Sequence, residues 1–173
     1  MMYCAMRRKD REVTGLDQIL DILQRCDTAH LAMSGEDGPY VVPVSFGFEA
    51  LQGNVLLYFH GAKQGHKHAL LARDKRVCVE ASIFHRYCET GHSFTAEYES
   101  VIGFGTARLC EGEEAAHGIE LLMEHCGFPG YDGKPCAALG ATAVYCVTLT
   151  KVTGKRRFVK AAPPTQQNAP AAP

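Results

Sequence analysis

Short strands with alternating apolar and polar residues, separated by tight turns, are the feature that most constrains how this chain folds. The alternation runs through residues 30–34, 40–49 and 54–60, and the turns at 35–38 and 51–53 each contain glycine. Connections this short join antiparallel strands, because a parallel crossover needs about a dozen residues or more. The sequence therefore predicts an antiparallel meander and excludes a parallel sheet of βαβ units.

Helical periodicity and further strand patterns surround this meander. Residues 15–26 carry leucine and isoleucine at helical spacing, and Thr14 with Asp17 approximates a capping box at the helix start. The other predicted helices are 63–73 and 113–126, and the further predicted strands are 76–83, 95–110 and 143–153. We expect a mainly β fold, a six-stranded antiparallel barrel with peripheral helices, because closure of a barrel removes exposed strand edges.

The remaining segments are predicted to bend or to be irregular. Residues 84–94 lack a clear period and are interpreted as a loop, whereas Gly103 and Gly105 inside a predicted strand indicate a bulge. The Ala/Pro-rich end, residues 161–173, cannot bury a core and is predicted to be a disordered tail. Residues 1–160 are accordingly predicted to form one domain.

Composition narrows the class of protein. The chain has 173 residues, a net charge of -1 and no long run of Lys or Arg, so it lacks the basic surface typical of nucleic-acid binding. No uninterrupted apolar stretch reaches the roughly 18 residues of a membrane span, and we expect a cytoplasmic protein. The eight cysteines include no Cys-x-x-Cys pair and are expected to be mostly free thiols, with Cys78 and Cys146 buried in strands.

Two segments have features of a ligand site. Pro43 interrupts a good strand pattern, which indicates either a plain edge strand or a flank where main-chain groups of Val44 and Ser45 bind a planar ligand. Residues 58–67 lead from a strand through a glycine-containing turn into a helix, a geometry that presents free N–H groups to an anion. Lys67, with neighbouring basic residues, adds positive charge suited to a phosphate, although a solvated basic turn has the same pattern.

A third segment, residues 97–105, places Tyr98, Ser100 and two glycines on one strand, where a ring could approach closely. Glycines that only relieve curvature are the alternative. The histidines and cysteines are less informative, because His85, Cys88 and His92, and the His66-x-His68 pair, do not have the spacing of a structural zinc site. No metal site is therefore assigned, and the sequence selects none of the eight thiols as a nucleophile.

Together, these three segments resemble the nitroimidazole-resistance (Nim) branch of the pyridoxamine-phosphate-oxidase-like, FMN-binding split barrels. The resemblance covers the chain from about Arg7 to Lys160. Its motifs are Val42-Pro43-Val44-Ser45-Phe46-Gly47, Tyr58-Phe59-His60-x-Ala62-x-x-Gly65-x-Lys67 and Tyr98-x-Ser100-Val101-Ile102-Gly103-x-Gly105.

The resemblance implies a Greek-key split β-barrel that forms a homodimer with FMN in the grooves between subunits. Residues 43–46 would run beside the isoalloxazine, and residues 60–67 would hold the phosphate end. The cofactor-binding residues implied by position are Pro43, Val44, Ser45, Phe46, Tyr58, His60, Lys63, Gly65, His66, Lys67, Tyr98, Ser100 and Val101. His60 is the one implied catalytic residue, as a proton donor or a substrate-orienting group, and a passive role in filling the groove stays open.

Three functional hypotheses follow. The first is an FMN-dependent oxidoreductase that reduces a small acceptor, for example a nitroaromatic. The second is a non-enzymatic barrel that stores or senses flavin, or that holds haem through a histidine, and the third is a thiol-based redox sensor. Pyridoxamine phosphate oxidation is disfavoured, because the Arg-rich C-terminal signature of the true oxidases is replaced by an Ala/Pro tail.

Overall fold

The structure is a computed structural model that describes residues 6–91, 93–132 and 141–159. A short 3-10 turn, Lys9–Arg11, precedes the regular elements. These are β1 (Glu12–Val13), α1 (Leu16–Gln24), β2 (Ala29–Ser34), β3 (Pro39–Val44), β4 (Gly47–Leu51), β5 (Asn54–Ala62), α2 (His66–Arg73), β6 (Arg76–Thr90), β7 (Ser93–Cys110), α3 (Gly112–His125) and β8 (Thr142–Arg157). The predicted tail lies outside the described residues.

All strands belong to one antiparallel sheet in the order β3-β2-β6-β7-β8-β5-β4, with β1 paired to β8. Val44 of β3 and Phe48 of β4, from the two ends of this order, pack into one apolar core, so the sheet curls around that core. Within the described ranges no ladder joins β3 to β4, and the sheet is split there. The mainly β, antiparallel class with three helices is confirmed.

The predicted number of six strands is wrong, since the sheet contains eight in the described part of the chain. One addition is β1, whose two residues are too few to show alternation. The other arises because residues 40–49 divide into β3 and β4 around Ser45 and Phe46. Phe46 is completely buried and enters the core, which turns the chain from one edge of the sheet to the other.

The helices differ in where they pack. Helix α1 buries Ile19, Ile22 and Leu23 in the main core, and α2 adds Leu70 and Leu71 to it. Helix α3 instead covers the outer side of β4, β5 and β8 and completes a second, smaller cluster. The predicted capping box is wrong, because Gly15 occupies the N-cap of α1 and makes no side-chain cap hydrogen bond.

The predicted loop at 84–94 is also wrong, because β6 and β7 continue there as a long hairpin. Their pairing extends to Thr90 and Ser93 around a turn at Gly91. A bulge at His85 shifts the register, so the side-chain alternation changes phase and the period of two is lost in the sequence. The bulge predicted near Gly105 is confirmed, since the β7–β8 register shifts between Phe104 and Gly105.

Candidate functional site

The outer side of the sheet divides into two halves. Helix α3 covers the half formed by β4, β5 and β8. The other half, which we call the open face, is the outward side of β3, β2, β6 and β7, and it carries no helix in the described residues. Cross-strand partners share a face, and the registers align these residues on it: Pro43, His30, Glu80, Ile102, Ser82, Ser100, Phe84 and Tyr98.

The open face is unusually apolar for a surface exposed to solvent. Val41 is 52% exposed, Phe84 57%, and Ile102 and Phe104 40% each. Contiguous exposed apolar side chains of this kind mark binding or association surfaces. Charge is confined to a few positions, among them the pair of His30 Nδ1 and Glu80 Oε2, 3.0 Å apart.

Pro43 lies on the terminal strand of the sheet, opposite His30, so the predicted strand edge is confirmed. Its missing N–H therefore costs no ladder hydrogen bond. The side chains of Pro43 and Ser45 are exposed, whereas Val44 and Phe46 face the core. Only the main chain of the latter two residues is available to a ligand.

The turn between β5 and α2 has the geometry of an anion site. Gly65 adopts φ 115°, which favours glycine, and it occupies the N-cap of α2 without a side-chain cap hydrogen bond. The first N–H groups of α2 consequently lack intrahelical partners.

Lys67 lies beside this turn and is half-buried. Its Nζ is 5.0 Å from the centre of the Phe59 ring, and a Cβ on Gly61 would meet that Nζ at 3.0 Å. Burial lowers the pKa of Lys67. Among the described residues no carboxylate pairs with this ammonium group, and burial is the cause of its pKa shift. The contact with the Phe59 ring offsets only part of the cost of desolvation. The absent Cβ of Gly61 leaves room for this cation against β5.

His60 and Ser45 both lie just beyond the ladder that joins β4 to β5. That ladder ends at the pair of Gly47 and Tyr58, two residues from each of them. Both residues are exposed. His60 is on the outer side of β5, while Phe59 and Gly61 face inward toward Lys67. These residues form the end of β5 that adjoins the turn into α2.

His66 and Lys63, the other predicted basic residues of this turn, line different cavities. The ring of His66 packs edge-on against Tyr40 of β3 with centroids 4.6 Å apart, beside a cavity of about 490 Å³. Lys63 lines a different cleft of about 630 Å³, together with His68. His68 Nδ1 and the Tyr145 hydroxyl are hydrogen-bonded at 2.5 Å.

Tyr58 and Val101 have buried side chains and do not line the open face. The Tyr58 hydroxyl donates to Glu49 Oε1 at 2.9 Å beneath α3, and burial raises the pKa of Tyr58. Val101 belongs to the main core. The structure thus places Lys67 on the inner side of the end of β5 and His60 on its outer side, and it keeps the Tyr58 side chain under α3.

Tyr98 and Ser100 occupy the far side of the open face. Lys155 Nζ lies 5.7 Å from the centre of the Tyr98 ring, and Ser100 is opposite both Ser82 and Lys155. Burial acts to raise the pKa of Tyr98, but hydrogen bonds with Arg11 and Lys155 outweigh it and leave that pKa lowered. The phenol and the ammonium therefore form a polar margin beside the apolar face.

A buried ion cluster surrounds Glu99 and was not predicted from the sequence. This carboxylate accepts from Arg25 at 2.6 Å, from Arg156 at 2.7 Å and lies 3.1 Å from His85 Nε2. The Arg25 hydrogen bond, opposed by burial, lowers the pKa of Glu99 to about 2. The partners lie 74, 57 and 14 residues away in the chain, so the only sequence signal was a carboxylate on an inward strand position.

Within the described ranges, no three His, Cys, Asp or Glu side chains lie close enough together to hold a metal ion. His85 lies against Glu99, and Cys88 is only partly buried. His92 lies outside the described residues. The cysteines at positions 26, 78, 88, 110, 126 and 146 are free thiols.

An antiparallel split sheet with an open outer face and a cationic turn at one strand end is the architecture of a split-barrel protein. The chain belongs to the pyridoxamine 5'-phosphate oxidase family, because the sequence profile of that family matches residues 16–156. The family resemblance expected from the sequence is confirmed. No curated protein matches the chain significantly.

Solved structures with the same fold include a candidate 5-nitroimidazole antibiotic resistance protein from Bacteroides thetaiotaomicron. It is 27% identical, with a TM-score of 0.72, over 83% of this chain and 85% of that one. The flavocytochrome Anf3 from Azotobacter vinelandii is 18% identical, with a TM-score of 0.69 over 98% and 91% of the two chains. An FAD- and haem-binding protein from Mycobacterium smegmatis is 18% identical, with a TM-score of 0.70 over 84% and 73%.

The last two similarities concern the fold alone. The described helices also include none that is long and apolar enough to cross a membrane.

Proposed function

We propose that this protein is a flavin-dependent oxidoreductase that binds FMN and reduces a small acceptor, with nitroaromatics as the first class to test. Membership of the pyridoxamine 5'-phosphate oxidase family supports a phosphorylated cofactor. The proteins of similar fold include a flavocytochrome and an FAD- and haem-binding protein, which supports a flavin as the cofactor. The observation that carries the proposal is the half-buried ammonium group of Lys67, which has no carboxylate partner in the part of the chain that the structure describes, beside the start of α2.

Lys67 and α2 fit a phosphate for two physical reasons. The N–H groups at the start of a helix point at an anion, and the helix dipole favours negative charge there. A lysine ammonium that is already partly desolvated binds a phosphate more strongly than one in water, because its charge is less screened. The absent Cβ of Gly61 leaves the space that the Lys67 ammonium group occupies, and, beyond Gly65 and its chain neighbours, no atom lies within 4 Å of where a Cβ would stand on Gly65.

The open face fits a planar ring and a second copy of the chain. Pro43 and Ser45 are exposed at its edge, and Val41, Ile102 and Phe104 supply apolar area beside them. We propose that two protomers associate through this face and enclose the flavin between the edge at Pro43 and the Tyr98–Lys155 margin of the partner. One protomer alone leaves this area in water, which the hydrophobic effect disfavours.

His60 is the proposed proton donor or substrate-orienting residue. It is exposed at the end of β5, the strand that leads into the turn before α2, where it can contact solvent and a ligand held at that turn. Bound flavin would supply hydride and electron transfer, which no protein side chain provides. The imidazole can donate a proton or a hydrogen bond to a bound acceptor.

The proposal is tested by the cofactor itself. Purified protein is scanned for flavin absorbance, and the compound released by heat is identified by chromatography against FMN, FAD, riboflavin and haem standards. We expect FMN, and we expect FMN to bind more tightly than riboflavin, which lacks the phosphate. Release of haem without flavin, or failure to bind any flavin after reconstitution, would overturn the proposal.

Variants assign the residues. Lys67→Ala is expected to weaken FMN binding about 10- to 100-fold and to leave riboflavin binding unchanged, because only the phosphate contact is lost. Lys75→Ala removes an exposed charge at the start of β6 and serves as the matched control. His60→Asn is expected to retain FMN but to lower the rate of nitroaromatic reduction about 100-fold.

A further inference from the structure

Two cysteines that are distant in sequence lie together beneath α3. Cys146 of β8 pairs with Arg108 of β7, and Cys110 pairs with Val144, so Cys110 and Cys146 are diagonal neighbours on the outer side of the sheet. Each thiol is the largest influence on the pKa of the other. The second apolar cluster, formed under α3, contains both of them.

Polar groups around this pair favour one thiolate. Arg108 Nη1 lies 3.8 Å from Cys110 Sγ, and the positive charge of Arg108 favours the thiolate form of Cys146. The hydrogen bond from Cys110, opposed by burial, lowers the pKa of Cys146 to about 7, and the same hydrogen bond raises the pKa of Cys110. The pair therefore loses its first proton more readily than an ordinary thiol and holds the second.

The pair is reachable by small molecules although both residues are buried. Cys110 lines the cleft of about 630 Å³ that also contains Lys63 and His68. Cys146 is fully buried behind it. A small oxidant in the cleft would therefore meet Cys110 first, and Cys146 would be in place to resolve the product.

We propose that Cys110 and Cys146 form a thiol pair that a hydroperoxide oxidises to an intramolecular disulfide. Cys110 passes its proton to the Cys146 thiolate as its own sulfur attacks the peroxide; an S–O bond forms, the O–O bond breaks, and the leaving oxygen takes that proton from Cys146 and departs as water, or as an alcohol from an alkyl hydroperoxide. The Cys146 thiolate then attacks the Cys110 sulfur, so that the S–S bond forms, the S–O bond breaks and the leaving hydroxide takes up a proton from solvent as a second water. The two thiols are oxidised and the peroxide is reduced.

The diagonal arrangement has a consequence for the product. Diagonal neighbours in an antiparallel pair are about 7–8 Å apart between Cα atoms, slightly beyond the usual span of a disulfide. Closing the bond must therefore draw β7 and β8 together beneath α3. A strained disulfide is readily reduced, and we expect the oxidation to be reversible by dithiothreitol.

The test is mass spectrometry of the purified full-length chain after treatment with hydrogen peroxide. We expect the intact mass to fall by two hydrogen atoms, and peptide mapping to recover a cross-linked peptide that contains positions 110 and 146. Cys110→Ala and Cys146→Ala should each lose this cross-link, whereas Cys126→Ala, at an exposed thiol, should retain it. A cross-link between other cysteines, or its persistence in either of the first two variants, would contradict the proposal.

A measurement on the unaltered chain guards against misfolded variants. After peroxide treatment and denaturation, Cys110 and Cys146 should become resistant to alkylation in equal proportion, and dithiothreitol should restore both together. Protection of one without the other would show separate oxidations and overturn the paired mechanism. Neither readout depends on a bound flavin.

Discussion

The two halves of the outer sheet surface belong to one antiparallel sheet but lie in opposite environments. On one half, α3 lies against β4 and β5 so closely that Gly47 touches its backbone at Leu121 and Leu122. On the open face, comparable apolar side chains such as Val41 and Phe104 remain in solvent. The apolar side chains under α3 are buried and stabilise the folded protomer. The exposed apolar side chains of the open face contribute less to that stability, because they remain in contact with water.

This difference separates residues that hold the fold from residues that are available to a ligand or a second protomer. A side chain under α3, such as Tyr58, is fixed by Glu49 and by an edge-on contact with His117. Pro43, in contrast, is exposed on the terminal strand of the sheet, and Ser100 is half-buried on the open face. Substitutions should therefore affect stability under α3 and association or binding on the open face.

The largest expected effect is that of Gly47→Ala. A Cβ at this position would overlap the backbone of Leu121 and Leu122, and backbone atoms of two packed elements cannot move aside cheaply. We expect the free energy of unfolding, measured in urea, to fall by about 3 kcal/mol. Gly15→Ala is the control, because its Cβ would meet only the Gln18 side chain at 3.7 Å, and a change as large there would refute the packing argument.

A smaller loss is expected from Glu99→Gln, on the inner side behind the open face. The substitution keeps the shape but removes the charge that Arg25 and Arg156 surround, and the amide places a donor among donors. We expect a loss of about 2–3 kcal/mol in urea unfolding. Glu89→Gln, at an exposed position of the hairpin, should change stability by less than about 0.5 kcal/mol. Equal effects of the two substitutions would contradict a role for the ion cluster.

The same carboxylate gives a dependence on pH. Because the pKa of Glu99 is lowered to about 2 in the folded state from a usual value of 4.5, its stabilising contribution is present above pH 4.5 and is lost as the pH falls toward 2. The stability difference between the wild type and Glu99→Gln should therefore shrink over that range. A constant difference from pH 6 to pH 2.5 would mean that the charge of Glu99 is not what stabilises the fold.

The two halves also differ in how much the sequence could predict. The patterns in residues 54–60 and in 95–110 identified β5 and β7 correctly, because β5 is apolar and buried on both sides from Val55 to Phe59 and β7 alternates between buried and exposed side chains. Alternation failed in residues 84–94, where the His85 bulge changes the phase and most side chains are exposed. A strand is thus recognised from its sequence where at least one of its sides is buried.

Long-range partners explain the rest of the missed site. Nothing near Glu99 in the sequence indicates that α1 would deliver Arg25 to it, and nothing near Cys110 indicates Cys146. The turn at Gly65 and Lys67 was readable, since a strand end, glycine and lysine are local features. The position of this turn was thus predictable from neighbouring residues, whereas contacts that depend on strand order were not.

The smallest expected effect on the protomer is that of the double substitution Ile102→Ser and Phe104→Ser on the open face. Both side chains are 40% exposed, so the intrinsic stability of a dilute protomer should change by less than about 0.5 kcal/mol. Their role lies in association if two copies meet through this face, because each substitution then removes apolar area twice per dimer.

We expect sedimentation velocity to show a dimer for the wild type and a dissociation constant at least about 100-fold weaker for the variant. Leu51→Ser, at a residue 53% exposed at the end of β4, is the matched control and should leave the dimer intact. A monomeric wild type, or a variant that dimerises as tightly, would mean that the open face is not the surface through which the protomers associate.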